Sequence, residues 1–322
     1  MPAAVRAALC DAADSPGYPQ TAGSPALRAA IAGWVERTCR PAGEFGVLPT
    51  IGSKELVAWL PTLLGLGPRD AVVIPSVCYP TYFVGARLAG TAVIRSDHPA
   101  EWADVSNVRL VWVNSPGNPT GRVLEPELLA ETVECARSFG AVVASDECYL
   151  PLGWDSTPVS VLSVCGPSTA GVLAVHSLSK RSNLAGYRAG FVAGDPALVA
   201  DLLEVRKHSG LMVPAPVQAA MVAALADEAH VVEQRGRYSA RRAVLAKAFA
   251  GAGFRIDHSE AGLYLWATDG GSAWSAVDRL ADLGIVVAPG DFYGPAGASH
   301  VRIALTATDE RCAAAAARLT AA

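Results

Sequence analysis

The sequence predicts an α/β protein, a parallel sheet with helices on both faces followed by a smaller α+β unit. Three observations carry that prediction. Short apolar runs rich in β-branched residues alternate with stretches of helical periodicity through the first two thirds of the chain. Polar clusters rich in Ser, Asn, Gly, Pro and Asp follow several of those runs directly, where open α/β sheets gather ligands. Hydrophobic residues make up 51% of the 322 residues and charged residues 17%, a composition that suits a large core, with room for an oligomer interface, and excludes a disordered chain.

The expected strands, in order, are Ala71 to Pro75, Ala92 to Arg95, Arg109 to Asn114, Ala141 to Ser145, Val172 to His176 and Ala189 to Ala193. Helical periodicity fills the gaps near Lys54 to Leu64, Tyr82 to Leu88 and Glu125 to Phe139. Residues Pro214 to Ala252 read as helical almost throughout. Beyond them, short strands at Gly262 to Ala267, Ile285 to Ala288 and Val301 to Leu305 mix with helices around Ala273 to Leu283 and Glu310 to Leu319. This divides the chain into a larger unit, 1–206, and a smaller one, 207–322, with the boundary near Lys207. The Ala-rich tail from Ala313 reflects helix propensity, and no fixed-period repeat is present.

Several function classes recede on composition alone. Lys and Arg total 26 against 30 Asp and Glu, a net charge of −4 with no basic block, so no nucleic-acid partner is expected. The N-terminal segment lacks the apolar core of a signal peptide, and no apolar run reaches the roughly 18 residues of a membrane span, so no membrane partner is expected either. Seven scattered cysteines without a CxxC pair suggest reduced thiols and a cytoplasmic location. The histidines lack ligand spacing, and no metal is expected.

Three polar clusters concentrate the chemistry. Ser177-Leu178-Ser179-Lys180 follows the apolar run ending at His176, with Arg188 eight positions on. Asn114 to Gly121 (NSPGNPTG) ends another run, and Asp146-Glu147-Cys148-Tyr149 ends a third. Singly, each has an ordinary explanation: a solvated lysine, a rigid turn, a helix cap. Together, at three strand ends, they point to a ligand site. Cys148, with no base beside it, reads as a small core residue.

With NPTG, DExY and SxSK followed by Arg in this order, the chain resembles the fold type I pyridoxal-phosphate enzymes, and within them the class I/II aminotransferases. Tyr18 to Gly23 leading to Leu27-Arg28, and Gly52-Ser53-Lys54 opening a helix, look like the family's entry segment and phosphate loop. His176 to Gly194, Gly290 to Gly294 and Val301 to Thr308 look closest to the N-succinyldiaminopimelate aminotransferase branch. The resemblance implies a mostly parallel seven-stranded sheet in the large domain, bound pyridoxal 5'-phosphate, and transfer of an amino group from glutamate to a keto-acid acceptor, N-succinyl-2-amino-6-oxopimelate. Alternatives are an aminotransferase for another amino acid, a carbon-sulfur lyase, or a silent cofactor-fold protein.

The resemblance also implies roles. Lys180 would hold the cofactor as a Schiff base and then act as general base. Asp146 would keep the pyridine nitrogen protonated. Asn118 and Tyr149 would hydrogen-bond the ring oxygen, Asn118 also lining the substrate site, and Tyr79 would stack on the ring. Gly52, Ser53, Lys54, Ser177 and Arg188 would bind the phosphate. Tyr18 would reach it from the neighbouring subunit, so a homodimer with shared active sites is expected. Arg302, isolated in an apolar strand, either snorkels to water or grips the substrate α-carboxylate, and the resemblance favours the second. Arg28, Arg181 and Arg206 are candidates for a distal carboxylate. Relatives carry a longer arm before the residue matching Tyr18, so either the chain starts late relative to the functional protein or it is a shortened relative with altered activity, and turnover of the chain as it stands is expected to be impaired.

Overall fold

The computed structural model describes residues 1–321. Its elements, in order, are α1 (Ala3–Asp11), α2 (Pro25–Cys39), β1 (Gly46–Ile51), α3 (Gly52–Leu63), β2 (Ala71–Ile74), α4 (Thr81–Leu88), β3 (Ala92–Arg95), β4 (Val108–Asn114), α5 (Pro126–Ser138), β5 (Val142–Asp146), α6 (Val161–Val164), β6 (Val172–Ser177), α7 (Leu178–Arg181), β7 (Ala189–Gly194), α8 (Pro196–His208) and α9 (Ala215–Ala226). Then follow α10 (Ala229–Gly251), β8 (Arg255–Asp257), β9 (Tyr264–Thr268), α11 (Ala273–Asp282), β10 (Ala288–Pro289), β11 (Val301–Ala304) and α12 (Asp309–Ala321).

Seven strands form one sheet in the order β1-β7-β6-β5-β4-β2-β3. Strands β2 to β6 pair in parallel, and β7 runs antiparallel between β6 and β1. Alternation along the strands builds two cores. Val111, Val113, Val143 and Ala174 face α2, α5 and α9 through Ile31, Trp34, Val133 and Met221. Leu110, Trp112, Ala144 and Val175 face α3, α4 and α8 through Leu56, Tyr82 and Leu202. Burial on both faces explains why these strands read as continuous apolar runs.

Strand β1 escapes the sequence pattern because Gly46 and Pro49 argue against a strand. Pro49 is tolerated because β1 is an edge, with one side free of the ladder. Helix α2 also went unforeseen, although Ser24 caps it, accepting from the Leu27 amide at 3.2 Å, and Pro25 opens it.

In the smaller unit, an antiparallel sheet β10-β11-β9-β8 packs Leu265, Val301 and Ile303 against Phe249 of α10, Leu280 of α11 and Leu319 of α12. The strand expected at Ile285 to Ala288 is reduced to Ala288–Pro289, with Val286 93% exposed. The long helical stretch breaks at Asp227–Glu228, where the Asp227 carboxylate accepts from the Ala229 amide at 2.8 Å. Helix α9 packs Val217, Met221 and Leu225 into the larger core, so we propose that the division between the units falls at this break instead of near Lys207.

Candidate active site

The carboxyl ends of β4, β5 and β6 converge on a cavity of about 220 Å³, closed from the other side by β9 and β11. Ser53, Lys54, Tyr79, Asn118, Asp146, Tyr149, Ser177, Lys180, Arg188 and Arg302 all line it. Of the residues singled out by sequence, Gly52 sits at its rim under Arg188, and Tyr18 stands apart, 97% exposed. Four cationic side chains (Lys54, Lys180, Arg188 and Arg302) against one acid, Asp146, make the cavity a receptor for anions.

The floor is a buried network. Asp146 accepts from the Tyr82 hydroxyl at 2.8 Å and from the Cys148 amide at 3.2 Å. Burial raises its pKa, and these donors act in the opposite direction, favouring the anion. The Asn114 side chain donates to the Asp146 carbonyl and accepts from the Asn118 amide, both at 2.8 Å, so the NPTG turn is tied to the strand that carries the acid. Tyr82 in turn stacks on Trp112, centroids 4.9 Å apart.

The anion end is built from two close approaches. Gly52 adopts φ +69°, and a Cβ there would overlap the Arg188 guanidinium, so a bare backbone lets that cation lie against the start of α3. The helix N-terminus brings free amides to the same place. The Ser177 hydroxyl accepts from the Ser179 amide at 3.1 Å, capping α7, and this cap presents Lys180 one turn beyond the strand. Cys148 is buried as expected but lines the cavity, its thiol donating to the Ser53 hydroxyl at 3.2 Å. Burial raises its pKa, so it stays a thiol.

The roof comes from the smaller unit. The Arg302 guanidinium lies 4.0 Å from the Tyr264 ring centroid and 5.1 Å from that of Tyr293, and Nη1 donates to Asn118 Oδ1 at 3.0 Å. Its Nε is buried without a partner, as are those of Arg181, Arg206 and Arg242, so the part open to a ligand is the outer edge of the guanidinium that lines the cavity. The Tyr149 and Tyr264 hydroxyls are 3.2 Å apart.

Sequence reasoning missed Tyr82, Tyr264 and Tyr293, and placed Asn114 in a polar cluster without giving it a role. Tyr82 and Tyr264 lie inside apolar periodic segments and look like core residues, and only the short Asn114-to-NPTG spacing hinted at a role. The three remaining arginines are committed elsewhere. Arg206 is fully buried in a two-bond pair with Glu55, both bonds 2.8 Å; Arg181 pairs with Glu228 at 2.6 Å; Arg28 donates to the Gly23 carbonyl at 2.5 Å. None of them lines the cavity.

On the reverse face of the sheet, His176 lies 3.5 Å from Glu147 and 3.6 Å from the Cys39 sulfur. Burial pushes Glu147 up to about 7 and His176 down to about 3, so a neutral imidazole faces a carboxyl that holds its proton to near neutrality. A further cavity of about 230 Å³ between the two units, walled by Trp102, Trp266 and His300, contains neither the lysine nor the cation set and is not the candidate site.

The fit to pyridoxal phosphate rests on these observations. Arg188 and the α3 N-terminus suit a phosphate, Asp146 suits a protonated ring nitrogen, Lys180 suits a carbonyl carbon, and the outer Arg302 edge suits a carboxylate. The family model described as aminotransferase class I and II matches residues 1–319. The 4-dedimethylamino-4-oxo-anhydrotetracycline transaminase OxyQ of Streptomyces rimosus is 60% identical over 99% of this chain and 89% of its own length. A probable aminotransferase of Mycobacterium tuberculosis is 59% identical over 98% and 76%, and an LL-diaminopimelate aminotransferase of Dehalococcoides mccartyi is 34% identical over 96% and 85%. Among solved structures, a probable N-succinyldiaminopimelate aminotransferase from Thermus thermophilus superposes with a TM-score of 0.89 at 28% identity, covering 99% of this chain and 91% of that one.

Proposed function

The chain belongs to the class I and II aminotransferases, which depend on pyridoxal phosphate, and from that premise we propose that it moves an amino group from glutamate to a keto-acid acceptor of the N-succinyl-2-amino-6-oxopimelate type. Bound pyridoxal phosphate supplies an electron sink for the bond broken at the substrate's Cα. Lys180 would hold the cofactor and, once freed, would serve as the base that moves the proton at the substrate's Cα. A single amine can serve both roles because it is both a nucleophile and a base.

Asp146 would keep the ring nitrogen protonated, and Tyr82 and the Cys148 amide hold its two oxygens in place for that task. Asn118 and Tyr149 would serve the ring oxygen and Tyr79 the ring, and Ser53, Lys54, Ser177 and Arg188 would hold the phosphate. Arg302 grips the substrate α-carboxylate through the outer edge of its guanidinium, where it lines the cavity. A guanidinium beside Lys180 and Asp146 in one cavity is the observation that carries the reading. We also propose a homodimer in the cytoplasm, with the exposed Tyr18 reaching the partner's phosphate.

The diaminopimelate-type acceptor is supported by the LL-diaminopimelate and N-succinyldiaminopimelate relatives. A second reading, a polycyclic ketone as acceptor, is favoured by the 60% identity to the anhydrotetracycline transaminase. A screen of both acceptors, with glutamate as donor and the purified holoprotein, separates them. Turnover of N-succinyl-2-amino-6-oxopimelate at least tenfold faster than that of the tetracycline ketone supports the first reading, and the reverse ratio replaces it with the second.

A further inference from the structure

Resting on that reading, we infer that Tyr264 is a positioning residue that couples the substrate-carboxylate site to the cofactor's ring-oxygen site. Lining the cavity, it touches both Arg302 and Tyr149: its ring faces the guanidinium at 4.0 Å and its hydroxyl meets the Tyr149 hydroxyl at 3.2 Å. The two contacts use different parts of one side chain, so they can be removed separately.

The placement follows from the small sheet. Arg302 lies opposite Trp266 across the β11–β9 ladder, and Tyr264, two residues before Trp266, shares that face. The guanidinium plane therefore lies on the tyrosine face and leaves its N–H edge for ligands. Nη1 is taken by Asn118, and the rest of the outer edge, which lines the cavity, remains for a carboxylate. Strand β9 is anchored to the cofactor side as well, since the Gly262 amide donates to the Leu152 carbonyl at 2.8 Å and the Ala261 amide to the Gly121 carbonyl at 3.0 Å. Leu263 and Tyr264 pack with Cys148, Tyr149 and Leu152 in one buried cluster.

The hydroxyl pair has a direction that serves the chemistry. Each phenol has one proton. With Tyr264 donating to the Tyr149 oxygen, Tyr149 keeps its own proton for the ring oxygen of the cofactor and becomes a stronger donor through the chained bond. Tyr264 thus strengthens stabilisation of the ring-oxygen anion by its hydroxyl and orients Arg302 by its ring.

The test uses the holoprotein with Tyr264→Phe and Tyr264→Leu, and with Tyr149→Phe and Arg302→Lys as reference variants. The readouts are the pH midpoint of the bound cofactor's visible absorption and the dissociation constant of glutamate in a single half-reaction. Tyr264→Phe is expected to raise the midpoint by about half a pH unit, in the direction of Tyr149→Phe and by less, with glutamate affinity within twofold. Tyr264→Leu is expected to show the same shift and a further, about tenfold, loss of glutamate affinity. An unmoved midpoint in Tyr264→Phe, or unchanged glutamate affinity in Tyr264→Leu at equal cofactor content, overturns the coupling. If Tyr149→Phe leaves the midpoint in place, or Arg302→Lys leaves glutamate affinity in place, the parent assignment of that residue fails and the coupling falls with it.

Discussion

Asp146 and Glu147 are adjacent acids, both under 7% exposed, on opposite faces of the same sheet. Asp146 looks into the cavity, where a tyrosine hydroxyl and a backbone amide favour its anion. Glu147 looks the other way, against His176 and the Val161 amide, where burial raises its pKa to about 7. The same chemical group thus faces hydrogen-bond donors in a cavity on one side and is pushed up to about 7 by burial in the core on the other. Cavity-face substitutions should therefore alter chemistry with little change in stability, and reverse-face substitutions should alter stability with little change in chemistry.

Lys180→Ala is the strongest way to break that contrast. It should abolish the protein's lysine-dependent visible band and lower turnover on the order of 10⁵-fold or more. Retention of the unmodified band in the purified variant would remove Lys180 from the role. Asp146→Asn comes next, with cofactor largely retained and the glutamate half-reaction slowed about 10³-fold, or about 4 kcal/mol of transition-state stabilisation. Stopped-flow rates within a few-fold of the unmutated protein would count against it.

Arg302→Lys should weaken glutamate binding about 100-fold and cofactor binding hardly at all, because two parallel bonds become one point-charge contact. Titration of the absorbance change with glutamate checks this. Efficient reaction of amines that lack the carboxylate would contradict it.

Glu147→Gln sharpens the comparison through pH. A carboxyl raised from 4.5 to about 7 by folding holds its proton in the native chain while the unfolded chain has lost it. Its contribution is therefore neutral below about pH 4.5 and increasingly destabilising up to about pH 7. The glutamine variant should match the unmutated protein at about pH 4 and exceed it in stability by on the order of 2 to 3 kcal/mol at about pH 8. Denaturant unfolding at both pH values decides, and a difference independent of pH would show that the carboxyl is not held neutral. The smallest effect is expected for Tyr82→Phe, about 1 kcal/mol or less in stability with a modest drop in rate, since the Cys148 amide still holds Asp146.

Local patterns carried much of this protein without help from tertiary contacts. The apolar runs at β2 to β7 were legible because strands buried on both faces must be apolar throughout, and the polar clusters after β4, β5 and β6 because a ligand at strand ends needs donors and charges there. Lys180, Asp146, Asn118, Tyr149, Arg188 and Arg302 could all be named from those clusters or from an isolated charge in an apolar strand. Tertiary structure alone decided the partners. Edge pairing made a strand of the Pro-containing β1, and packing gave α9 to the larger core. Folding also spent the buried Arg181 and Arg206 on ion pairs with Glu228 and Glu55 and brought Tyr82 and Tyr264, indistinguishable in sequence from core aromatics, onto Asp146 and Arg302. Periodicity reports which face a side chain takes, whereas the atom it meets there is set by elements distant in the chain.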